Sequence, residues 1–268
     1  MVRSLIVFVL VAGFAAPASA KVWPVPAGGP SASGDPEIVF TFDDGPNSTT
    51  TPKVLDILAK HHIKAVFFLV GDMVATKNKS VPRILARMIA EGHVIANHTM
   101  SHEDLCRVKE DRGAAEIDGG HDAIVRVTGI DPGWFRAPFG SRCDRLDALL
   151  QSRGIRHLHW DLDPQEWRPG TRKAKVLAYV TGALARAQGR NVLLMHDIKQ
   201  ITVQVLPEIL AWIDAENVRR KESGQRPIRI VQAPDLAREA LSPGLEAWAR
   251  ETATRVASVR TDLARVLP

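Results

Sequence analysis

The chain has 268 residues, a formal net charge of +5, 45% hydrophobic residues and two cysteines. That length and apolar content suit one sizeable barrel or sandwich with a single core. The positive charge is mild, and no Lys/Arg run is interleaved with aromatics, which argues against nucleic-acid binding and for a solvated basic surface.

Residues 1–20, MVRSLIVFVLVAGFAAPASA, carry Arg3, an apolar run from Leu5 to Ala16 and a small-residue Ala18-Ser19-Ala20 ending. This is the pattern of a secretory signal peptide cleaved after Ala20. Its apolar run is shorter than the roughly 20 residues a membrane span needs. No later segment approaches a span, so the expectation is an exported protein, periplasmic or extracellular, with no stable membrane insertion after cleavage. In such a compartment Cys106 and Cys143 can form one disulfide. Residues 21–36, rich in Pro, Gly, Ser and Ala, read as an extended lead-in.

From residue 37 the chain alternates. Short apolar runs bounded by turn signals fall at 37–42, 64–70, 93–97, 133–135, 157–162, 191–195 and 228–231. Helical spacing occupies 52–62, 81–91, 104–128, 146–153, 174–187 and 203–219. Seven strand candidates separated by helices predict βα units and a parallel sheet, closed or nearly closed into a (β/α) barrel. Residues 37–235 form the expected catalytic unit. Beyond it, at 236–268, Leu245, Trp248, Thr252, Val256, Val259, Leu263 and Val266 recur at steps of three and four. They predict a C-terminal amphipathic helical extension packed on the barrel, with homo-oligomerisation through that helix as the alternative.

In a parallel barrel, reactive groups gather where the strands end. The first strand ends in FTFDDGP, which sets Asp43 beside Asp44. Two adjacent carboxylates at the end of an apolar run require compensation. The third strand ends in ANHTMSH, where His98 and His102 lie four residues apart, within reach of one ion on a helix or in a tight loop. Two histidines and one aspartate make a three-ligand site with an open position, the arrangement of a catalytic metal that acidifies water. One aspartate can ligate while its neighbour accepts a proton. Arg136, in WFRAPFG after the fourth strand, can pair with that second carboxylate. Asp163, Glu166, Trp160 and Trp167 follow the fifth strand in WDLDPQEW, and tryptophan faces stack on sugar rings. NVLLMHD then places His196 at the end of a wholly apolar strand, positioned as a general acid.

In this order TFDDGP, HTMSH, RAPFG, DPQEW and LLMH resemble the polysaccharide deacetylases of carbohydrate esterase family 4, the NodB-homology domain, over about residues 38–231. The resemblance implies a deformed (β/α) barrel that removes acetyl groups from N-acetylglucosamine-type polymers or oligosaccharides, or O-acetyl groups from xylan-like ones. It implies a divalent metal as cofactor, zinc first and cobalt as the alternative. On matching positions it implies Asp43 as general base, Asp44, His98 and His102 as metal ligands, Arg136 as the partner of Asp43 and His196 as general acid. Leu194 and Trp167 would line the acetyl pocket, and the Phe139 N–H would face the oxyanion. Two positions depart from the family pattern. Glu166 stands where an aspartate usually supports the histidine, and Phe139 stands where tyrosine is frequent. With the loops after the third and fourth strands on one rim, Cys106 and Cys143 become disulfide partners.

Other readings are a hydrolase of small amides and a silent carbohydrate-binding barrel. A glycosidase using Asp43 and Asp44 fits poorly, because its two carboxyl groups must stand about 5 Å or more apart across the bond.

Overall fold

The apolar run at the first strand is buried on both faces, as a central strand of a parallel sheet must be. It forms β1 (Glu37–Asp43), with all 7 residues buried. This computed structural model describes residues 35–238. The expected signal peptide, nearly all of the lead-in and the amphipathic positions 245–266 lie outside the described residues. No helix among the described residues is long and apolar enough to cross a membrane.

The sheet contains β2 (Val66–Leu69), β3 (Val94–Asn97), β4 (Trp134–Phe135), β5 (Arg156–His157), β6 (Arg190–His196) and β7 (Arg229–Ile230) beside β1. Its order is β5-β4-β3-β2-β1-β6, with β7 also on β1, and every pairing is parallel. The helices lying wholly within the described residues are α1 (Thr51–Lys60), α2 (Gly71–Val74), α3 (Val81–Ala90), α4 (Glu110–Thr128), α5 (Asp144–Ser152), α6 (Lys173–Ala185) and α7 (Gln200–Glu222).

Strand parity sorts the side chains. Ile38, Phe40 and Phe42 of β1 join Leu193 and Met195 of β6 in the core beneath the helices, with Leu55 of α1, Leu85 of α3 and Ile209 of α7. Val39 turns to the other face, into a smaller core with Phe68, Ala96, Leu158 and Val192. The same alternation carries Thr41 and Asp43, and on β6 Leu194 and His196, to this inner face. The catalytic candidates therefore follow from the phase of two buried strands.

The fifth expected strand is shorter than its apolar run. β5 stops at His157, and the chain crosses toward the opposite edge, where the Asp161 and Leu162 N–H groups donate to Val192 O at 2.9 and 3.1 Å and Leu194 N–H donates to Leu162 O at 2.9 Å. This bridge curls the sheet toward closure, which gives the deformed barrel its shape. The helix expected at 104–128 begins at Glu110, because Lys109 is extended with ψ 157° and the residues before it form the loop that carries Cys106. The four-residue α2 has too few positions to show a helical period.

Candidate active site

All strand ends that carry candidate residues open on one cleft of about 230 Å³, lined by Asp43, Asp44, His98, His102, Phe139, Trp160, Asp163, Trp167, Leu194 and His196 among others. Arg136 and Glu166 stand behind this lining, bonded to Asp43 and His196, whereas Cys106 and Cys143 pack in a separate apolar cluster.

Asp43 ends β1 and is only 2% exposed. Its Oδ1 accepts from Arg136 Nη1 at 2.8 Å. Arg136 is wholly buried and spends its other donors on Thr41 Oγ1 at 2.8 Å, Leu158 O at 3.0 Å and His159 O at 3.2 Å. Its guanidinium lies 4.0 Å from the centre of the Phe68 ring. Burial draws the Arg136 pKa below the usual guanidinium range, and the Asp43 charge opposes that fall. This is a buried ion pair in which four guanidinium donors find acceptors, the form in which such a pair is tolerated.

Asp44 points elsewhere. Its backbone is left-handed, φ 73°, so its carboxylate diverges from that of Asp43 and meets the two histidines. Asp44 Oδ1 stands 3.5 Å from His98 Nε2 and 3.2 Å from His102 Nε2. Among the described residues this buried oxygen has no hydrogen-bond donor. One donor atom from each of Asp44, His98 and His102 falls within 4.8 Å of the others. An orphaned carboxylate oxygen facing two imidazole nitrogens fits a divalent cation, whose charge would satisfy all three. Burial pushes the Asp44 carboxyl up, yet the facing His102 ring, with His196 and His98 beside it, outweighs that and brings its pKa down to about 2. His98 Nδ1 lies 2.7 Å from Arg136 O. That carbonyl can only accept, so the ring carries its proton on Nδ1 and turns the Nε2 lone pair toward the site. Burial also lowers the His98 pKa, keeping the imidazole neutral as a ligand must be.

The histidine spacing is realised by a tight loop, not a helix. Thr99 and His102 adopt φ of 70° and 62°, and His102 N–H donates to Thr99 Oγ1 at 2.9 Å. Buried Glu116 of α4 clamps this loop by accepting from Ser101 N–H and Ser101 Oγ, both at 2.7 Å. Gly120 lets α4 come this close, since a Cβ there would overlap Asn97 Oδ1 and the Thr99 backbone. Glu116 was not singled out in the sequence, where it reads as one more polar residue of a long helix. Its only signal was burial.

His196 ends β6 in register with Asp43. Its Nδ1 lies 2.9 Å from Glu166 Oε1, and its backbone N–H donates to the same oxygen at 2.7 Å. Burial works against an imidazolium here, but the hydrogen bond and charge of Glu166, with Asp43 and Asp44 behind, raise the His196 pKa to about 9. Glu166 thus reaches the histidine despite its extra methylene. Phe139 has φ 59° in the 3-10 turn Pro138–Gly140, and its ring packs edge-on against His102 with centroids 4.7 Å apart. Trp167 is 40% exposed and Leu194 only 3%, so one forms the wall of the cleft and the other its floor. Asp163 Oδ1 accepts from Gln165 N–H at 2.8 Å. Cys106 and Cys143 are joined by a disulfide, with Cα atoms 6.0 Å apart. The bond ties the loop after His102 to the segment after Phe139.

A curled parallel sheet that delivers a buried carboxylate, a carboxylate-held histidine and a three-donor cation site to one mouth defines a hydrolase. Residues 31–158 match the polysaccharide deacetylase family model. The chain is 35% identical over 169 residues to a chitooligosaccharide deacetylase of Sinorhizobium fredii, covering 62% of this chain and 74% of that protein. It is 36% identical over 132 residues to a peptidoglycan-N-acetylglucosamine deacetylase of Bacillus cereus, covering 49% and 46%. A family 4 carbohydrate esterase from Streptomyces lividans, solved in complex with acetate, superposes with a TM-score of 0.60 at 25% identity over 68% of this chain and 89% of that one. The chain belongs to the polysaccharide deacetylase family, with the NodB-homology fold of carbohydrate esterase family 4.

Proposed function

We propose that this chain is an exported, metal-dependent deacetylase of N-acetylglucosamine-containing polysaccharide or oligosaccharide, with residues 37–235 as its catalytic unit. The observation that carries the reading is the divergence of two adjacent aspartates, Asp43 to a buried arginine and Asp44 to two histidines. Asp44, His98 and His102 would hold zinc or cobalt, which supplies a Lewis acid for the acetyl carbonyl and acidifies water. Export is supported by the signal-like residues 1–20 and by the disulfide.

The chain's own groups divide the remaining work. Asp43, oriented through Oδ1 by Arg136, takes the proton of the attacking water on Oδ2. The Phe139 N–H donates to the carbonyl oxygen as negative charge develops there. Leu194 and Trp167 enclose the acetyl methyl, and Trp160 and Asp163 offer a ring face and an acceptor to the sugar. His196, kept protonated by Glu166, delivers its Nε2 proton to the departing nitrogen. Acetate and a free amino sugar result.

Acetate release from a panel of chitooligosaccharides, peptidoglycan and acetylated xylan, with and without a chelator, tests this reading. Release from the glucosamine-containing substrates that stops on chelation and returns with zinc is the expected result. Release from acetylated xylan alone would overturn the substrate assignment.

A further inference from the structure

Asp197 follows His196 directly, is fully buried and has no part in the chemistry above. Its Oδ2 accepts a hydrogen bond from Thr51 Oγ1, and its Oδ1 has no donor among the described residues. Thr51 in turn accepts from Asn47 N–H at 2.8 Å. The turn Asp44-Gly45-Pro46-Asn47 is thereby pulled onto the end of β6 at one end, while Gly45 O accepts from Val70 N–H at 3.1 Å at the other. Gly45 lies flat on the Asp197 carboxylate, so that a Cβ there would overlap both of its oxygens. A glycine at this position is required by close approach and not by its φ.

An acid sealed under a metal-binding turn, with one oxygen unmet, is costly unless it holds something in place. Burial raises its pKa to about 7, against the hydrogen bond from Thr51. Groups that orient metal ligands from behind are as consequential for affinity as many ligands are.

We propose that Asp197 is a positioning residue for the metal-binding turn: clasped to Thr51 and pressed against Gly45, its carboxylate fixes the backbone from which Asp43 and Asp44 diverge. The inference rests on Asp44, His98 and His102 holding a metal. It assigns Asp197 no contact with substrate or ion. The clasp acts by setting the left-handed conformation of Asp44, without which its carboxylate would not face both imidazoles.

The test measures zinc affinity by competition with a chromophoric chelator, and the visible absorption spectrum of the cobalt-loaded protein, in the full chain. Asp197→Ala and Thr51→Val each break the clasp and are expected to weaken zinc binding roughly ten-fold or more and to alter the cobalt spectrum. Asp197→Asn keeps an oxygen that accepts from Thr51 Oγ1 and is expected to stay near the parent in both readouts. Parent-like affinity and spectrum in Asp197→Ala and Thr51→Val, with only the melting temperature lowered, would reduce the clasp to a packing element and overturn the proposal. An Asp197→Asn protein as impaired as Asp197→Ala would also overturn it, since charge and not the clasp would then matter. If Asp197→Ala does not fold, Thr51→Val decides alone. A parent chain that takes up no zinc removes the metal reading and this inference with it, a result distinct from any pattern among the variants.

Discussion

Glu166 Oε1 receives both the Nδ1 and the backbone N–H of His196, at 2.9 and 2.7 Å. One oxygen thus fixes both the orientation of the ring and its charge. Glu166→Gln retains an acceptor but removes the charge that keeps the imidazole protonated. Loss of general-acid catalysis typically costs 10²–10⁴-fold, so kcat should fall by about 10² with KM little changed. Steady-state kinetics on a chitooligosaccharide checks this. Unchanged kcat would dissociate the pair from catalysis.

Arg136 is wholly enclosed, and its removal strands the Asp43 carboxylate in a low-dielectric interior. Arg136→Met should therefore cost stability as well as rate. Breaking a buried pair from one side is worth about 3–5 kcal/mol. Urea denaturation measures the loss, and a drop under 1 kcal/mol would mean that water reaches the site far more freely than the burial of both partners implies.

Asp43→Asn removes the proposed base and leaves Asp44, His98 and His102 untouched. The expectation is loss of acetate release by about 10²–10⁴-fold with zinc affinity retained. Turnover near that of the parent would show the base assignment to be wrong.

His157 provides the pH dependence. Its Nε2 accepts from Ala137 N–H at 3.2 Å, just ahead of the Phe139 turn, and burial first, then the nearby His159, Arg142, Arg136 and His98, lower its pKa to about 3. The folded state therefore resists a proton that the unfolded chain accepts near pH 6.5. The contribution is fully present above that value and is lost as pH falls from about 6.5 toward 3. Between pH 6.5 and 4.5 the loss is roughly 2 kcal/mol from this group. His157→Gln keeps an acceptor and cannot titrate, so its unfolding free energy should decline less over the same interval. Parallel slopes for the two proteins would place the acid sensitivity elsewhere.

The Cys106–Cys143 bond closes the loop behind His102 onto the segment behind Phe139. Reduction, or Cys106→Ser with Cys143→Ser, should destabilise the fold by about 2–5 kcal/mol. Because each joined segment carries a site residue, zinc affinity should weaken in the same protein. Thermal denaturation and chelator competition read the two effects separately.

Much of this arrangement was legible in the sequence because buried parallel strands announce themselves as apolar runs, and the residues that end them face one mouth. Asp43, His98 and His196 could be placed that way before any coordinates. The residues behind them could not. Glu116 and Asp197 carry no motif and act through burial and long-range contact, Glu116 on the loop from Ser101 and Asp197 across 146 residues to Thr51. The truncated β5 was also hidden, because an apolar run does not say where a strand leaves its neighbour to cross the barrel. The left-handed Asp44 that separates the two carboxylates is a backbone property with no compositional trace in a non-glycine residue.

Asp43 and His196 are cross-strand partners in the seven-residue ladder between β1 and β6. Adjacent strands run about 4.8 Å apart, so the distance between the proposed base and the proposed acid is gauged by main-chain hydrogen bonds within the sheet. The loops around the cleft lie outside that ladder and can lengthen or shorten without disturbing the gauge. A variant of this chain with altered loops at the mouth would therefore keep the spacing of Asp43 and His196.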